Sequence, residues 1–186
     1  MIEIKLVTEH KELEGIRQLQ EDNLKKNLSP EEAESQGFVT AEYSLEFLET
    51  LHRFSPSVIA KDGDLVVGFA LVSTKDIRNQ HALLGDLMNG IDKIIYQGKP
   101  LATARYVVVG QLCVAKGYRG MGLVDRMYQF FKTSLISEYD YCLTDIAANN
   151  PRSLKAHTKT GFQVVDQLIY GGLTWDIVLW DWTSKN

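Results

Sequence analysis

Lys116-Gly117-Tyr118-Arg119-Gly120-Met121-Gly122-Leu123 places three glycines between an apolar β-branched run and a stretch of helical periodicity. Glycines in such a turn let the backbone wrap closely. The first free amides of the following helix point outward at its positive dipole end, which makes a site for phosphate. Residue types exclude two common phosphate loops. A Walker loop needs Gly-Lys-Ser/Thr, but Gly122 is followed by Leu123 and Val124. A dinucleotide fingerprint begun at Gly120 needs glycine at position 125, which is Asp125.

A second group lies downstream. Asn150-Pro151 is a cap followed by proline at the first helical position, and Gly161 closes that helix. Helical spacing puts Asn150, Ser153 and His157 on one face. An unperturbed histidine is mostly neutral at pH 7, so His157 can serve as acid, base or packing ring. Cys113 and Cys142 sit in apolar surroundings without a partner motif and read as inert thiols. The histidines at 10, 52, 81 and 157 have no metal spacing.

The elements that must hold these residues follow from periodicity. Ile2–Val7 alternates as a strand, and leucines at helical spacing predict a helix over 10–27. Ser29-Pro30-Glu31-Glu32 is a capping box that starts a second helix, and a third runs near 43–54. Strands are expected at 57–60 and 65–74, joined by the hairpin residues Lys61-Asp62-Gly63-Asp64. The stretch 75–104 reads as a long excursion, with a helix over 81–95 interrupted by Gly85 and Gly90. A buried strand follows at 105–114, in which Gly110 and Gln111 are out of place and mark a bulge or a close backbone approach. Helix 121–136, strand 141–146, helix 150–161 and strands 164–170 and 174–180 complete the chain, with Gly171-Gly172 as the last turn. This order implies an α/β (mixed α+β) fold in one domain over residues 1–186.

At 186 residues with 45% hydrophobic and 24% charged residues, the composition is globular. No apolar run reaches the roughly 20 residues of a membrane span. The charged N-terminus lacks a signal-peptide core, and two thiols fit a reducing cytoplasm. The net charge of −4 argues against a nucleic-acid partner.

Arg119-x-x-Gly122-x-Val124, after a strand with an internal irregularity, resembles the acyl-CoA loop of the GNAT N-acetyltransferase superfamily, Gln/Arg-x-x-Gly-x-Gly/Ala. Arg119 and Gly122 match; Val124 replaces the last small residue. Asn150-x-x-Ser153-Leu154-x-Ala156-His157-x-Lys159-x-Gly161-Phe162 resembles that superfamily's later motif, where position 157 is often tyrosine. The resemblance implies a mixed, mostly antiparallel sheet with a splayed parallel strand pair, flanked by helices. It implies acetyl-CoA as acyl donor and direct transfer to a primary amine of a small molecule, as monomer or homodimer. By carry-over, Leu112, Cys113 and Val114 line the pantetheine arm. Arg119, Gly120, Met121, Gly122, Leu123 and Val124 wrap the pyrophosphate, with weaker binding at Val124, while Asn150 and Ser153 contact the pantetheine. His157 stands where the family's general acid often stands. Asp145, Glu21 and Asp22 are candidate bases.

A non-catalytic acyl-CoA sensor and a protein or peptide N-acetyltransferase are the alternative readings. Charge refines the choice. Residues 115–132 hold four basic side chains and one acidic, and 149–160 hold three basic and none acidic. The cofactor motifs therefore carry a basic patch within an acidic chain. Eleven acids stand against four bases between Glu9 and Glu49, which points to a cationic acceptor. Trp175, Trp180 and Trp182 cluster near the C-terminus; alternation packs them inward, whereas an exposed Trp180 or Trp182 would mark a dimer surface.

Overall fold

The computed structural model describes residues 1–36, 38–170 and 172–183. In chain order its elements are β1 (Ile2–Leu6), α1 (His10–Asn23), α2 (Pro30–Gln36), α3 (Leu45–Phe54), β2 (Val58–Asp62), β3 (Leu65–Ser73), α4 (Ala82–Ile91), β4 (Ile95–Tyr96), β5 (Lys99–Pro100), β6 (Tyr106–Val114), α5 (Leu123–Leu135), β7 (Tyr141–Ala147), α6 (Pro151–Thr160), β8 (Gln163–Tyr170) and β9 (Leu173–Asp181). Seven strands form one sheet in the order β1-β2-β3-β6-β7-β9-β8. The pairs β1–β2, β2–β3, β7–β9 and β8–β9 are antiparallel, and β6–β7 is parallel. This is the mixed, mostly antiparallel sheet with one parallel pair that the motifs imply. The parallel ladder joins Tyr106, Val107 and Val108 to Tyr141, Cys142 and Leu143. Both strands continue past it.

The chain divides into two compact units: residues 1–72 with 110–134, and residues 73–109 with 135–186. Strand β6 passes from one to the other at Gly110.

In the first unit, β2 and β3 are joined by a two-residue turn, Gly63-Asp64, with Gly63 at φ +59°. The positive φ is why glycine is needed there. Helix α1 stops at Asn23, four residues earlier than its leucine spacing suggests. Leu24 leaves the helix with ψ +135° to form a bridge with Val39, and both side chains are buried. The amide of Lys25 donates to the Val39 carbonyl and that of Val39 to the Asn23 carbonyl. Burial of two apolar side chains therefore outweighs continuation of the helix. Glu12 in α1 is only 1% exposed. Its carboxylate accepts from the Thr8 and Glu9 amides and from the ammonium groups of Lys5 and Lys61, at 2.7–3.2 Å. Helix α5 buries Leu123, Met127, Tyr128 and Phe131, while Val124 and Phe130 are half-buried.

In the second unit, Gly85 and Gly90 lie inside α4 and do not interrupt it. A Cβ at Gly85 would meet the Arg78 carbonyl oxygen at 2.7 Å, and one at Gly90 would meet Leu168 Cδ1 at 2.3 Å. Close packing explains both. Tyr106 is buried at the start of β6 and donates to Asp92, which Arg78 also holds. Trp180 and Trp182 are buried with their rings edge to face at 5.8 Å, so neither marks an exposed surface. Gly171 of the expected final turn lies outside the described residues; Gly172 has φ +73°. No helix among the described residues is long and apolar enough to cross a membrane.

Candidate active site

The glycine turn grows from the end of β6. Leu112 is half-buried, while Cys113 and Val114 are buried. The Ala115 amide donates to the Val67 carbonyl at 2.8 Å, which anchors the strand end on β3. A single 3-10 turn, Lys116–Tyr118, follows. The Tyr118 hydroxyl donates to Asp62 at 3.1 Å. Arg119 turns back toward the protein: its Nε donates to the Val114 carbonyl at 3.0 Å, and a terminal nitrogen donates to Asn23 Oδ1. The Asn23 amide group donates in turn to the Leu19 carbonyl at 2.8 Å. The guanidinium thus ties the turn to both β6 and α1.

Gly120 and Gly122 adopt φ +82° and +73°. Nothing lies within 4 Å of a Cβ built at either position. Glycine is therefore required by backbone conformation and not by crowding. The left-handed Gly122 delays α5 to Leu123, two residues later than the apolar pattern suggests. The Arg126 amide makes the first helical bond, to the Gly122 carbonyl at 3.1 Å. The amides of Gly122, Leu123, Val124 and Asp125 come before that bond and precede the helical ladder, at the positive end of the dipole. Met121 is 56% exposed beside them.

The basic patch is partly engaged. Lys116 pairs with Glu32 of α2, and Arg126 donates to the Ile2 carbonyl. What these pairs leave at the turn are the main-chain dipoles at the start of α5 and the segment's net positive charge, a combination that suits an anion. The acidic count between Glu9 and Glu49 is similarly reduced: Glu9, Glu12, Glu32 and Glu42 pair with lysines, and Glu14 and Glu49 flank His10. Glu21 and Asp22 are exposed. Burial pushes the Cys113 thiol up to about 12, with the Arg119 charge opposing it, and burial also raises Cys142 well above its ordinary value. Neither is a thiolate at neutral pH.

Sequence reasoning missed what holds the middle of β6. Gln111 is buried, and its Oε1 accepts from Gln20 Nε2 at 2.9 Å while its Nε2 donates to the Ala41 carbonyl at 2.8 Å. Gln20, also buried, accepts from the Tyr43 amide at 2.7 Å. The amide in an apolar strand was the visible sign; nothing in α1 singled out Gln20.

The second unit holds the other candidates. The Asn150 side chain accepts from the Ser153 amide at 3.3 Å and caps α6. His157 is 3% exposed. Its Nδ1 lies 2.8 Å from the Ser153 carbonyl oxygen and 3.5 Å from Ser153 Oγ, so Ser153 and His157 do share a helix face. Burial lowers its pKa to about 4 against the opposing backbone hydrogen bond. The ring is therefore neutral at pH 7, with the Nδ1 proton donated to the backbone. It stands edge-on to Phe162 at 5.2 Å. Gly161 ends α6 at φ +123°, where a Cβ would sit 2.8 Å from Trp180 Nε1. Asp145 is half-buried on β7, opposite Ile177 of β9. Leu112–Val114 and Arg119–Val124 thus belong to the first unit, and Asp145, Asn150, Ser153 and His157 to the second. Among the described residues no cluster of His, Cys, Asp or Glu could hold a metal.

Comparison with known proteins adds an independent line. The family model described as acetyltransferase (GNAT) family matches residues 14–162. No curated protein matches. Among solved structures, the chain is similar to one in the NatC complex bound to Gag peptide and CoA, at 14% identity and TM-score 0.66, covering 97% of this chain and 98% of that one. It is similar to the ribosomal-protein-S18-alanine N-acetyltransferase from Escherichia coli at 9% identity and TM-score 0.65, covering 100% and 97%. It is also similar to yncA from Salmonella typhimurium, solved with its cofactor acetyl-CoA, at 14% identity and TM-score 0.61, covering 97% and 93%.

Proposed function

The chain belongs to the acetyltransferase (GNAT) family, and from that premise we propose that it transfers the acetyl group of acetyl-CoA to a primary amine of a small molecule. The observation that carries this reading is the pair of left-handed glycines that lead into α5 in the turn between β6 and α5. They turn a run of helix-initiating amides outward, as a pyrophosphate requires. Since the family match crosses both compact units, we treat residues 1–186 as one N-acetyltransferase-like domain. Two buried free thiols support a reducing cytoplasm.

In the proposed reaction the neutral amine attacks the thioester carbonyl in a ternary complex. The C–N bond forms, the C–S bond breaks, the amine loses a proton to a base or water, and the CoA thiolate gains one. The backbone of Leu112 and Val114 holds the pantetheine amides, and a main-chain donor there stabilises the oxyanion. Arg119–Val124 hold the pyrophosphate. Val124 still offers its amide, so its larger side chain weakens this grip without removing it. Asn150 and Ser153 meet the pantetheine. A neutral, backbone-bound His157 fits the packing role better than the acid role, because a neutral imidazole is a poor proton donor. Asp145 remains the base candidate of the second unit.

A second reading, acetylation of a peptide or protein N-terminus, is favoured by the NatC and S18-alanine structures among the chain's neighbours. The ion-paired acids of α1–α3 weaken the argument for a cationic small amine. One experiment separates the readings: thermal shift with acetyl-CoA, then thiol release over a panel of spermidine, aromatic amines, amino acids and short peptides with free N-termini. Turnover on small amines supports the first reading, and turnover confined to peptides the second. Stabilisation by acetyl-CoA without turnover on any amine supports an acyl-CoA sensor.

A further inference from the structure

Gln20 and Gln111 form a directional bridge whose two amides can face only one way. A main-chain N–H, that of Tyr43, donates into one end at Gln20 Oε1. A main-chain carbonyl, that of Ala41, accepts from the other end at Gln111 Nε2. Between them Gln20 Nε2 donates to Gln111 Oε1. Flipping either amide would set donor against donor or acceptor against acceptor. Both side chains are buried, Gln20 at 1% and Gln111 at 8% exposure, so these bonds are not exchangeable for water without loss. The Tyr43 hydroxyl adds a bond to the Gly110 carbonyl at 3.4 Å. Segment 41–43 is thereby stitched to β6 at Gly110-Gln111, one residue before Leu112.

A buried polar pair in a strand that otherwise reads Tyr-Val-Val-Val-…-Leu-Cys-Val costs desolvation that apolar side chains would avoid. Its position is specific. The parallel ladder of β6 ends at Val108, and the strand enters the first unit at Gly110. From there to Val114 the bridge fixes the strand from one side, while the Ala115 bond to Val67 fixes its end.

We propose that Gln111 and Gln20 are positioning residues for acetyl transfer: their bridge sets the path of β6 from Gly110 to Val114 and so aims the main-chain groups of Leu112 and Val114 at the acyl thioester. This rests on the transferase reading above. The bridge touches no reacting atom. Its loss misplaces the thioester carbonyl relative to the attacking amine, a small displacement that weighs on kcat more than on binding of a long cofactor held mainly by its pyrophosphate.

Gln111→Leu and Gln20→Leu test this in the full chain, with spermidine and an alanine-initiated octapeptide as amines. The expected result is a fall in kcat of about tenfold or more, with KM for acetyl-CoA within about threefold of the unaltered enzyme. Gln111→Glu supplies a second readout. A protonated carboxyl donates to the Ala41 carbonyl as the amide does, whereas an ionised one opposes it. Burial also favours the protonated form. The activity of Gln111→Glu, relative to the unaltered enzyme at each pH, should therefore rise as pH falls from 8 to 6. A flat ratio overturns the proposal, and it alone decides if the leucine variants do not fold. Unchanged kcat in folded leucine variants, or equal changes in kcat and KM, also overturns it. If the unaltered protein turns over neither amine nor any other in the panel, the transferase reading falls and the bridge's role in transfer falls with it.

Discussion

His157 donates its Nδ1 proton to the Ser153 carbonyl, 2.8 Å away and one turn back along its own helix. The ring is held neutral by burial, with a pKa of about 4 in the folded chain against an ordinary 6.5. The unfolded chain therefore binds the proton more readily between those values. The neutral ring's contribution to stability is complete above about pH 6.5 and is lost as pH falls toward 4, by roughly 3 kcal/mol at most. Thermal unfolding from pH 8 to 4 should show this decline, and His157→Phe should flatten it. No inflection of the pH–rate profile between 6 and 8 should vanish in that variant.

Glu12 titrates in a lower window. Although burial opposes ionisation, bonds from Lys5, Thr8, Lys61 and Glu9 hold its pKa at about 2 against an ordinary 4.5. The carboxylate stabilises the fold above pH 4.5, and its contribution is lost as pH falls through 4.5 toward 2. Glu12→Gln should cost roughly 2–3 kcal/mol at pH 7 and leave the buried Lys61 and the half-buried Lys5 without their carboxylate. The difference between variant and unaltered protein in denaturant titrations should shrink below pH 4.

Glycine variants of the turn separate conformation from packing. Gly120→Ala and Gly122→Ala force a side chain into left-handed backbone at a cost of about 1 kcal/mol each. The turn should relax away from the cradle and weaken acetyl-CoA binding by about fivefold or more in calorimetry. Gly117→Ala is the control, because Gly117 has no positive φ and nothing lies within 4 Å of its Cβ position. Its affinity should not change.

Asn150 caps α6 and, in the proposed site, meets the pantetheine; substitution can split the two. Asn150→Ala removes the cap on the Ser153 amide and should cost about 1 kcal/mol of stability. Asn150→Asp keeps the cap but replaces the side-chain amide with a carboxylate. Normal Tm with weakened acetyl-CoA binding in Asn150→Asp is the expected outcome, and unchanged binding would remove Asn150 from the cofactor contacts.

Much of this fold is written in local sequence. The β-branched run of β6, the Asn150-Pro151 start and Gly161 stop of α6, and the Gly63 hairpin are local chemistry, and local chemistry survives into the fold. The glycine turn is legible for the same reason, since Gly120 and Gly122 encode left-handed backbone residue by residue. Three features depended on distant partners. Leu24 gave up the helix for a bridge to Val39. Gly85 and Gly90, which read as interruptions, proved to be contact points for Arg78 and Leu168. The acids of the first three helices looked like an open negative face until their lysines, among them Lys61 and Lys116, arrived from elsewhere in the chain. Sequence by itself determined most strand and helix types, the left-handed glycines of the turn before α5 and the place of the cap. Only the tertiary structure decided which charges are paired, that Arg119 faces inward and that His157 is buried and neutral. It also revealed the answer to Gln111, an out-of-place residue whose partners lie 91 and 70 positions away. Burial and pairing across such separations follow from packing, and no short window of residues contains them.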